Sequence, residues 1–245
     1  MTPRSLPARQ AAAAIARRCA IVIPMLDEGA DIATLLAGLQ AWRAAGCEII
    51  VVDGGSRDAS LALAKPLATA AFAARRGRSR QMNAGAAQAQ NEILIFLHAD
   101  TRLPPDALAH ITTAIDDGAC WGRFDVRIDG RLPGLAMVAT LMNWRSRLTG
   151  IATGDQALFV SREVFERIGG FPEQPLMEDI ALSRTLRALS WPTCLRQRVT
   201  TSGRRWEQRG LWRTIFAMWW LRLRYFCGAR PADLARDYGY APDEN

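Results

Sequence analysis

Apolar positions along the chain alternate between short unbroken runs and stretches of helical spacing. Residues 20–24 read AIVIP; Ile32, Leu35, Leu36, Leu39 and Trp42 then recur at intervals of three and four; residues 48–52 read EIIVV. A short apolar run bounded by turn residues fits a strand buried on both faces, and the 3.6-residue recurrence fits an amphipathic helix, so this stretch predicts strand, helix, strand. Asp53-Gly54-Gly55-Ser56 breaks the pattern, with Ser56 or Asp58 as the cap of the next helix. Residues 92–97 (EILIFL) make a third buried strand after a second helical crossover. Apolar strands alternating with helices predict an α/β fold with a parallel sheet covered on both faces.

After Pro104-Pro105 a helix is expected to about Ile115, and residues 122–128 alternate as a strand does. Residues 132–148 read as helix, 157–161 as strand and 163–168 as a short amphipathic helix, before Gly169-Gly170-Phe171-Pro172 interrupts. A helix over 178–189, a strand over 194–199 and one long Trp- and Arg-rich helix over 208–226 complete the pattern. In that last helix Arg209, Arg213 and Arg224 share one side and Leu211, Ile215, Met218 and Phe226 the other, with Arg222 as an exception near the apolar side. The organisation expected is a disordered extension over 1–18, one domain in two halves (19–100 and 101–206), and a C-terminal amphipathic helix with its tail over 207–245.

Composition narrows the class. The chain has 245 residues, 49% apolar and 22% charged, which is enough to bury a core and excludes collagen-like, coiled-coil and wholly disordered chains. Net charge is +7, and Lys65 is the single lysine among 31 basic residues. The five cysteines are never spaced as CxxC, which predicts a reducing compartment and no structural zinc. No apolar run reaches the length of a membrane span, and residues 1–18 lack the apolar stretch of a signal peptide. A cytoplasmic protein is expected, with the 208–226 helix either packed on the domain or lying on the anionic inner face of a membrane.

Three acidic sites directly follow predicted strands: Asp27-Glu28, Asp53 and Asp100. In a parallel sheet these loops gather at one edge, where open α/β folds bind ligands. Alone, each acid reads as a cap or turn residue; together they suit a ligand in which one acid accepts hydrogen bonds from a base or ribose and another holds a divalent cation that neutralises a diphosphate. Neither GxGxxG nor GK[ST] follows the first strand, so dinucleotide and P-loop chemistry lose their main support. Arg75, Arg76, Arg78 and Arg80, just before Gln81, either reach a nucleotide phosphate or form a solvated charge run.

Taken in order, IVIPMLDE (21–28), IIVVDGGSRD (49–58), GRSRQMNAG (77–85), LIFLHAD (94–100), Gly154-Asp155, GGFPEQPLMED (169–179) and SGRRW (202–206) resemble the family 2 glycosyltransferases of the GT-A fold. The set covers most of residues 20–206, and HAD, GDQ, PLMED and TSGRRWE are similar to a bacterial subgroup labelled arsenosugar-biosynthesis-type. The resemblance implies an inverting transfer of one sugar from a nucleoside diphosphate sugar, UDP- or GDP-linked, to an acceptor hydroxyl, with Mn²⁺ or Mg²⁺ as cofactor. It assigns Pro24, Glu28 and Asp53 to the nucleotide, with Arg78 and Gln81 beside them. Asp100 becomes the metal ligand, and His98 stands where the family carries the first acid of DxD; an imidazole suits Mn²⁺ better than Mg²⁺. Asp179 becomes the general base with Glu178 as the fallback, and Asp155 lines the acceptor pocket. Arg205 stabilises the departing diphosphate and Trp206 stacks on a sugar. Ser202 replaces the Gln of the processive QxxRW motif, which implies a single transfer to a small or lipid-linked acceptor.

Two other readings are weaker. A sugar nucleotidyltransferase of related fold needs a basic Gly-rich loop where Asp27-Glu28 stands. A nucleic-acid-binding protein would explain the net charge, but no helix-turn-helix, zinc-finger or RNA-binding signature is present and no nucleic-acid partner is expected.

Overall fold

A computed structural model describes residues 6–240. Its sheet is organised around β1 (Cys19–Met25), buried at all seven positions. β1 lies parallel between β2 (Glu48–Asp53) and β4 (Ile93–Phe96), with Ile21 opposite both Ile49 and Ile95. The period-2 alternation of these strands divides the interior into two cores. Ile21, Ile23, Ile49, Val51, Ile93 and Ile95 face the helix α2 (Ile32–Ala44) with its Ile32, Leu35, Leu36 and Leu39. Val22, Ile50, Val52, Leu94 and Phe96 face the opposite way, toward Met82 and Ala86 of α4 (Arg78–Gln88). Strands apolar at every position are therefore strands covered twice, as the sequence pattern predicts.

The second half closes the sheet antiparallel. β7 (Leu158–Ser161) pairs with β4, and β6 (Trp121–Asp129) pairs with β7, both antiparallel. β8 (Thr193–Ser202) runs parallel to β6, with a bulge between Phe124 and Asp125, and β5 (Thr101–Arg102) is the antiparallel edge. The full order is β3-β2-β1-β4-β7-β6-β8-β5, with β3 at Ala70–Ala73, so the parallel first half continues into a mixed second half. The helices α5 (Ala107–Asp116), α6 (Leu135–Thr149), α7 (Arg162–Arg167) and α8 (Glu178–Leu189) fall where the periodicity puts them.

Five features depart from expectation. β3 (Ala70–Ala73) is an edge strand of sequence AAFA, invisible to a search for β-branched runs. Of the stretch 1–18 expected to be disordered, residues 1–5 lie outside the described residues, but Leu6–Ala16 is a helix, α1. Its Ala-rich sequence has high helix propensity, Ala16 is buried, and Arg18 beyond it grips Asp116 at 2.7 and 2.9 Å and also Glu92. The long C-terminal helix is two helices, α9 (Arg204–Arg209) and α10 (Leu211–Phe226), because Gly210 between them adopts φ 83°, a left-handed turn that breaks the helix. Phe226 of α10 points outward, not with its apolar side. The tail folds as α11 (Pro231–Tyr238), opened by a proline in its first turn. Leu221 of α10 and Leu234 of α11 pack with Ile151, Met177 and Ile180, docking the C-terminal helices against the start of α8. Among the described residues no helix is long and apolar enough to cross a membrane.

Two glycines test the packing in opposite directions. A methyl group on Gly85 in α4 would fall on Val22 Cγ1 of β1 and 3.0 Å from Val52, so helix and sheet touch because it is absent. A methyl on Gly38, on the exposed side of α2, meets nothing within 4 Å. Gly85→Ala is expected to lower unfolding stability by about 1–3 kcal/mol, and Gly38→Ala to raise it by roughly 1 kcal/mol, both read from urea denaturation midpoints.

Candidate active site

The carboxyl ends of β1, β2 and β4 open onto one rim. Gln81, buried in the first turns of α4, donates through Nε2 to the carbonyls of Met25 and Val52, both at 2.8 Å, and so ties the ends of β1 and β2 together. Asp53 accepts from Gly55 N at 3.1 Å, Ser56 N at 3.0 Å and the Ser56 hydroxyl, while Ser56 Oγ accepts from Asp27 N. Asp58 repeats the arrangement: it accepts from Gly29 N and Ser60 N and from the Ser60 hydroxyl, and Ser60 Oγ accepts from Glu28 N. The two loops after β1 and β2 are thus sewn to each other by side chain-to-backbone hydrogen bonds.

Against this rim lies a cleft of about 280 Å³ lined by Pro24, Glu28, Arg78, Gln81, His98, Asp100, Arg204, Arg205, Arg209 and Tyr240, among others. Four arginines face two carboxylates, a balance suited to a ligand carrying two or more negative charges. Arg204 reaches back to Glu28 at 3.3 Å and Asp31 at 3.1 Å. Burial raises the Glu28 carboxyl above its ordinary range, against the opposing pull of Arg204. The C-terminal residues cover the cleft: Arg205 donates to the Tyr238 hydroxyl at 2.6 Å, and Arg76 sits over the Tyr240 ring, 5.7 Å from its centre.

A second group of acids meets the cleft from the turn before β7 and from α8. His98 Nδ1 stands 3.4 Å from Asp155 Oδ1, and Gly154, next in the chain, donates its N–H to Asp179 Oδ2 at 3.0 Å. A Cβ on Gly154 would fall on His98 Nε2, so only glycine lets this turn approach the imidazole. Asp179 Oδ1 accepts from Ile180 N at 2.7 Å, at the N-terminus of α8 where the helix dipole favours a carboxylate. Met177, the residue before α8, has φ 66°, a left-handed conformation rare for a side chain of that size, and it aims the Glu178-Asp179 pair. Burial would raise Asp155, yet the hydrogen bond from His98 and the charges of Arg205 and Arg78 outweigh it and hold the carboxyl below its ordinary range. Glu178 is 5% exposed. Its burial and the neighbouring Asp179 charge push it up to about 7, against the pull of Arg78.

Among the described residues no three His, Cys, Asp or Glu side chains are grouped closely enough to hold a metal ion by themselves. Asp100 lines the cleft and keeps one carboxylate oxygen near Thr101 Oγ1 at 3.3 Å; His98 lines it too, but turns Nδ1 to Asp155.

The structure therefore gathers Pro24, Glu28, Arg78, Gln81, His98, Asp100 and Arg205 at one cleft, with Asp155, Glu178 and Asp179 linked to it through His98 and Gly154. Asp53 lies behind the rim with its oxygens engaged in the turn. Trp206 packs against the larger core instead of lining the cleft. Arg204, Arg209 and Tyr240 went unrecognised as cleft residues. Arg204 lies inside SGRRW, but Tyr240 carries no local signal because its position depends on how α10 and α11 fold back.

A model of the family described as "Glycosyl transferase family 2" matches residues 20–169. No curated protein matches the sequence at a significant level. Among solved structures, S. aureus TarS residues 1–349 superposes with a TM-score of 0.62 at 16% identity, covering 76% of this chain and 60% of that one. The mannosyltransferase PcManGT from Pyrobaculum calidifontis, in complex with GDP-Man and Mn²⁺, gives 0.57 at 22% identity, covering 75% and 56%. Glucosyl-3-phosphoglycerate synthase from Mycobacterium tuberculosis, in complex with Mn²⁺, UDP and phosphoglyceric acid, gives 0.58 at 20%, covering 82% and 75%. The α/β architecture is that of the GT-A glycosyltransferases, and the chain spans about 60% of the length of the TarS fragment.

The raised Glu178 gives the site a pH signature. An acid whose pKa is higher folded than unfolded favours the folded state fully below the ordinary 4.5, and that contribution is lost as pH rises through about 7. Wild type is expected to lose up to about 3 kcal/mol relative to Glu178→Gln between pH 4.5 and pH 8. Chemical denaturation of both proteins across that range measures the difference, and parallel curves would place the Glu178 carboxyl at its ordinary pKa.

Proposed function

The chain belongs to glycosyl transferase family 2, and we propose that this glycosyltransferase moves a single sugar, with inversion, from a nucleoside diphosphate donor to an acceptor hydroxyl. The observation that carries the reading is the link from His98 through Asp155 and Gly154 to Asp179, which joins the cationic cleft to an acid held at a helix N-terminus. The donor's diphosphate lies among Arg78, Arg204 and Arg205, and its nucleoside against the rim of Pro24, Glu28 and Gln81. Asp53 acts through the turn it holds. The acceptor oxygen bonds to the anomeric carbon as the bond from that carbon to the diphosphate oxygen breaks; the hydroxyl proton passes to Asp179, and the nucleoside diphosphate leaves.

Two hydrogen bonds from backbone N–H groups fix the orientation of the Asp179 carboxylate. Glu178, raised toward neutrality beside it, limits the repulsion between the two acids. Asp155 holds His98 in place. Asp100 in the cleft would hold a divalent ion, Mg²⁺ or Mn²⁺, and such an ion would neutralise charge on the leaving diphosphate. Ser202 in place of the processive Gln supports one transfer per acceptor, and the motif likeness to the arsenosugar-biosynthesis-type subgroup supports a kinship with that subgroup without fixing the acceptor.

Titration calorimetry with UDP and with GDP, with and without Mn²⁺, tests this reading. One nucleotide is expected to bind in a metal-dependent way that Asp100→Ala loses. Asp179→Asn is expected to keep that binding while turnover falls about 10²–10⁴-fold. Absence of binding by a folded protein, or full turnover in either variant, would overturn the mechanism.

A second feature supports work at a membrane surface. Met137, Leu141, Trp144 and Leu148 form an exposed stripe on α6, and Trp212, Phe216, Trp219 and Leu223 form another on α10, both at 4-3-4 spacing. Leu211 at the start of α10 lies against Gly134 at the start of α6, and Arg145 and Arg222, each eleven residues further on, lie within reach of each other's charge. The two helices are neighbours, and each presents an exposed, Trp-bearing apolar stripe. Tryptophan and arginine together suit the headgroup region of an anionic bilayer. The protein is expected to co-sediment with vesicles containing phosphatidylglycerol and to stay in solution with Trp144→Ser and Trp219→Ser combined.

A further inference from the structure

Two arginines between α6 and α10 lack the partners that their neighbours have. Nε and Nη2 of Arg145 and Nε of Arg222 are buried with no hydrogen-bond partner. Nothing in the local fold forbids pairing: two residues beyond Arg145, Arg147 donates to Asp125 at 2.7 Å, and two beyond Arg222, Arg224 pairs with Asp237. Arg222 is also the cation that falls near the apolar side of its helix in the sequence. Burial and mutual repulsion disfavour the charge on Arg145, and burial disfavours it on Arg222, with Asp179 and Asp155 opposing through space in both cases. A guanidinium keeps its proton regardless, so the cost appears as two half-buried cations with buried, unsatisfied N–H groups.

Their surroundings locate them. Leu221, adjacent to Arg222, packs with Met177 and Ile180, which flank Glu178 and Asp179. The C-terminal end of α6, beyond Arg145, leads through Ile151 to the Thr153–Gln156 turn that carries Asp155. Both cations therefore lie within electrostatic reach of Asp155 and Asp179.

We propose that Arg145 and Arg222 form an oxyanion site for the acceptor, which carries a phosphate group in addition to the hydroxyl that receives the sugar. The inference rests on reading Asp179 as the base of a glycosyltransferase. Two guanidinium groups offer forked donors that match phosphate oxygens. A phosphate held there sets the acceptor on the Asp179 side, leaving the rim for the donor. The same chemistry is available in a soluble phosphate ester and in the phosphate of a lipid entering beneath the apolar face of α6 and α10.

The test uses the full chain saturated with whichever of UDP or GDP binds, together with Mg²⁺, so that the diphosphate subsite is filled. Glycerol 3-phosphate and dodecyl phosphate are titrated calorimetrically, with glycerol as the neutral control. Both phosphates are expected to bind and glycerol not to; dodecyl phosphate tighter by tenfold or more marks a lipid source, and equal affinity a soluble one. Arg145→Gln and Arg222→Gln are each expected to weaken phosphate binding about tenfold or more, to leave nucleotide binding unchanged, and to raise the Tm of the ligand-free protein by relieving an unpaired buried charge. Nucleotide binding without phosphate binding, phosphate binding that survives both substitutions, or a Tm that falls in both variants would overturn the oxyanion site and leave the donor site standing. Arginine-dependent phosphate binding with no nucleotide binding would keep the oxyanion site and overturn the glycosyltransferase mechanism.

Discussion

The convergence of carboxylates at one edge of the sheet sets the terms for the rest of the structure. Glu28, Asp100, Asp155 and the Glu178-Asp179 pair come from four different segments, and like charges gathered at a partly buried edge destabilise the fold unless each is separately satisfied. The solutions differ. Glu28 takes Arg204; Asp155 takes His98 and the field of two arginines; Asp179 takes two backbone N–H groups; Glu178 is driven toward its neutral form. Neighbouring acids with their proton affinities pushed apart are the usual basis for assigning distinct roles to chemically identical groups.

Much of this arrangement was legible in the sequence because it depends on local rules. Strands apolar at consecutive positions have to be covered twice, and their alternation sorts Ile21, Ile49 and Ile95 from Val22, Ile50 and Leu94 into two cores. The acids that follow strands have to meet at the edge where parallel strands end. The bounds of α8 follow from its periodicity and from the acid pair at its start. What was not legible depends on contacts distant in sequence. β3 is a strand because β2 has a free edge, not because AAFA prefers it. The Ala-rich stretch before β1 is ordered because its buried end and Arg18 meet residues of other elements. Gly210 splits an otherwise continuous helical pattern, since a lone glycine in a helix carries only a small local penalty and the break depends on how α10 docks.

The C-terminal elements change the charge that the cleft presents. The rim built by residues 20–100 supplies carboxylates and backbone groups but few cations; Arg204, Arg205 and Arg209 arrive with α9, and Tyr238 and Tyr240 with α11. Without them the cleft would confront a diphosphate with Glu28 and Asp100 opposed by Arg78. The positive balance of the donor cleft is therefore completed by segments far along the chain. Trp206 contributes to the same end by packing into the core, which anchors the helix that presents Arg204 and Arg205.

The two sides of the site differ in how far the protein alone satisfies them. On the donor side Gln81 bonds two carbonyls, Asp53 and Asp58 close their turns, and hydroxyls take the N–H groups of Asp27 and Glu28, so the rim is finished before a ligand arrives. On the acceptor side the chain keeps a left-handed methionine, a carboxyl raised by burial and two cations with unsatisfied N–H groups. Strain of this kind persists where it serves a function and other parts of the fold supply the stability. On the proposed reading, the rigid rim suits a nucleotide, whose shape is constant, and an acceptor that brought oxyanions to the two arginines and a hydroxyl to Asp179 would complete the other side, so that completing the structure and selecting the substrate would be the same event.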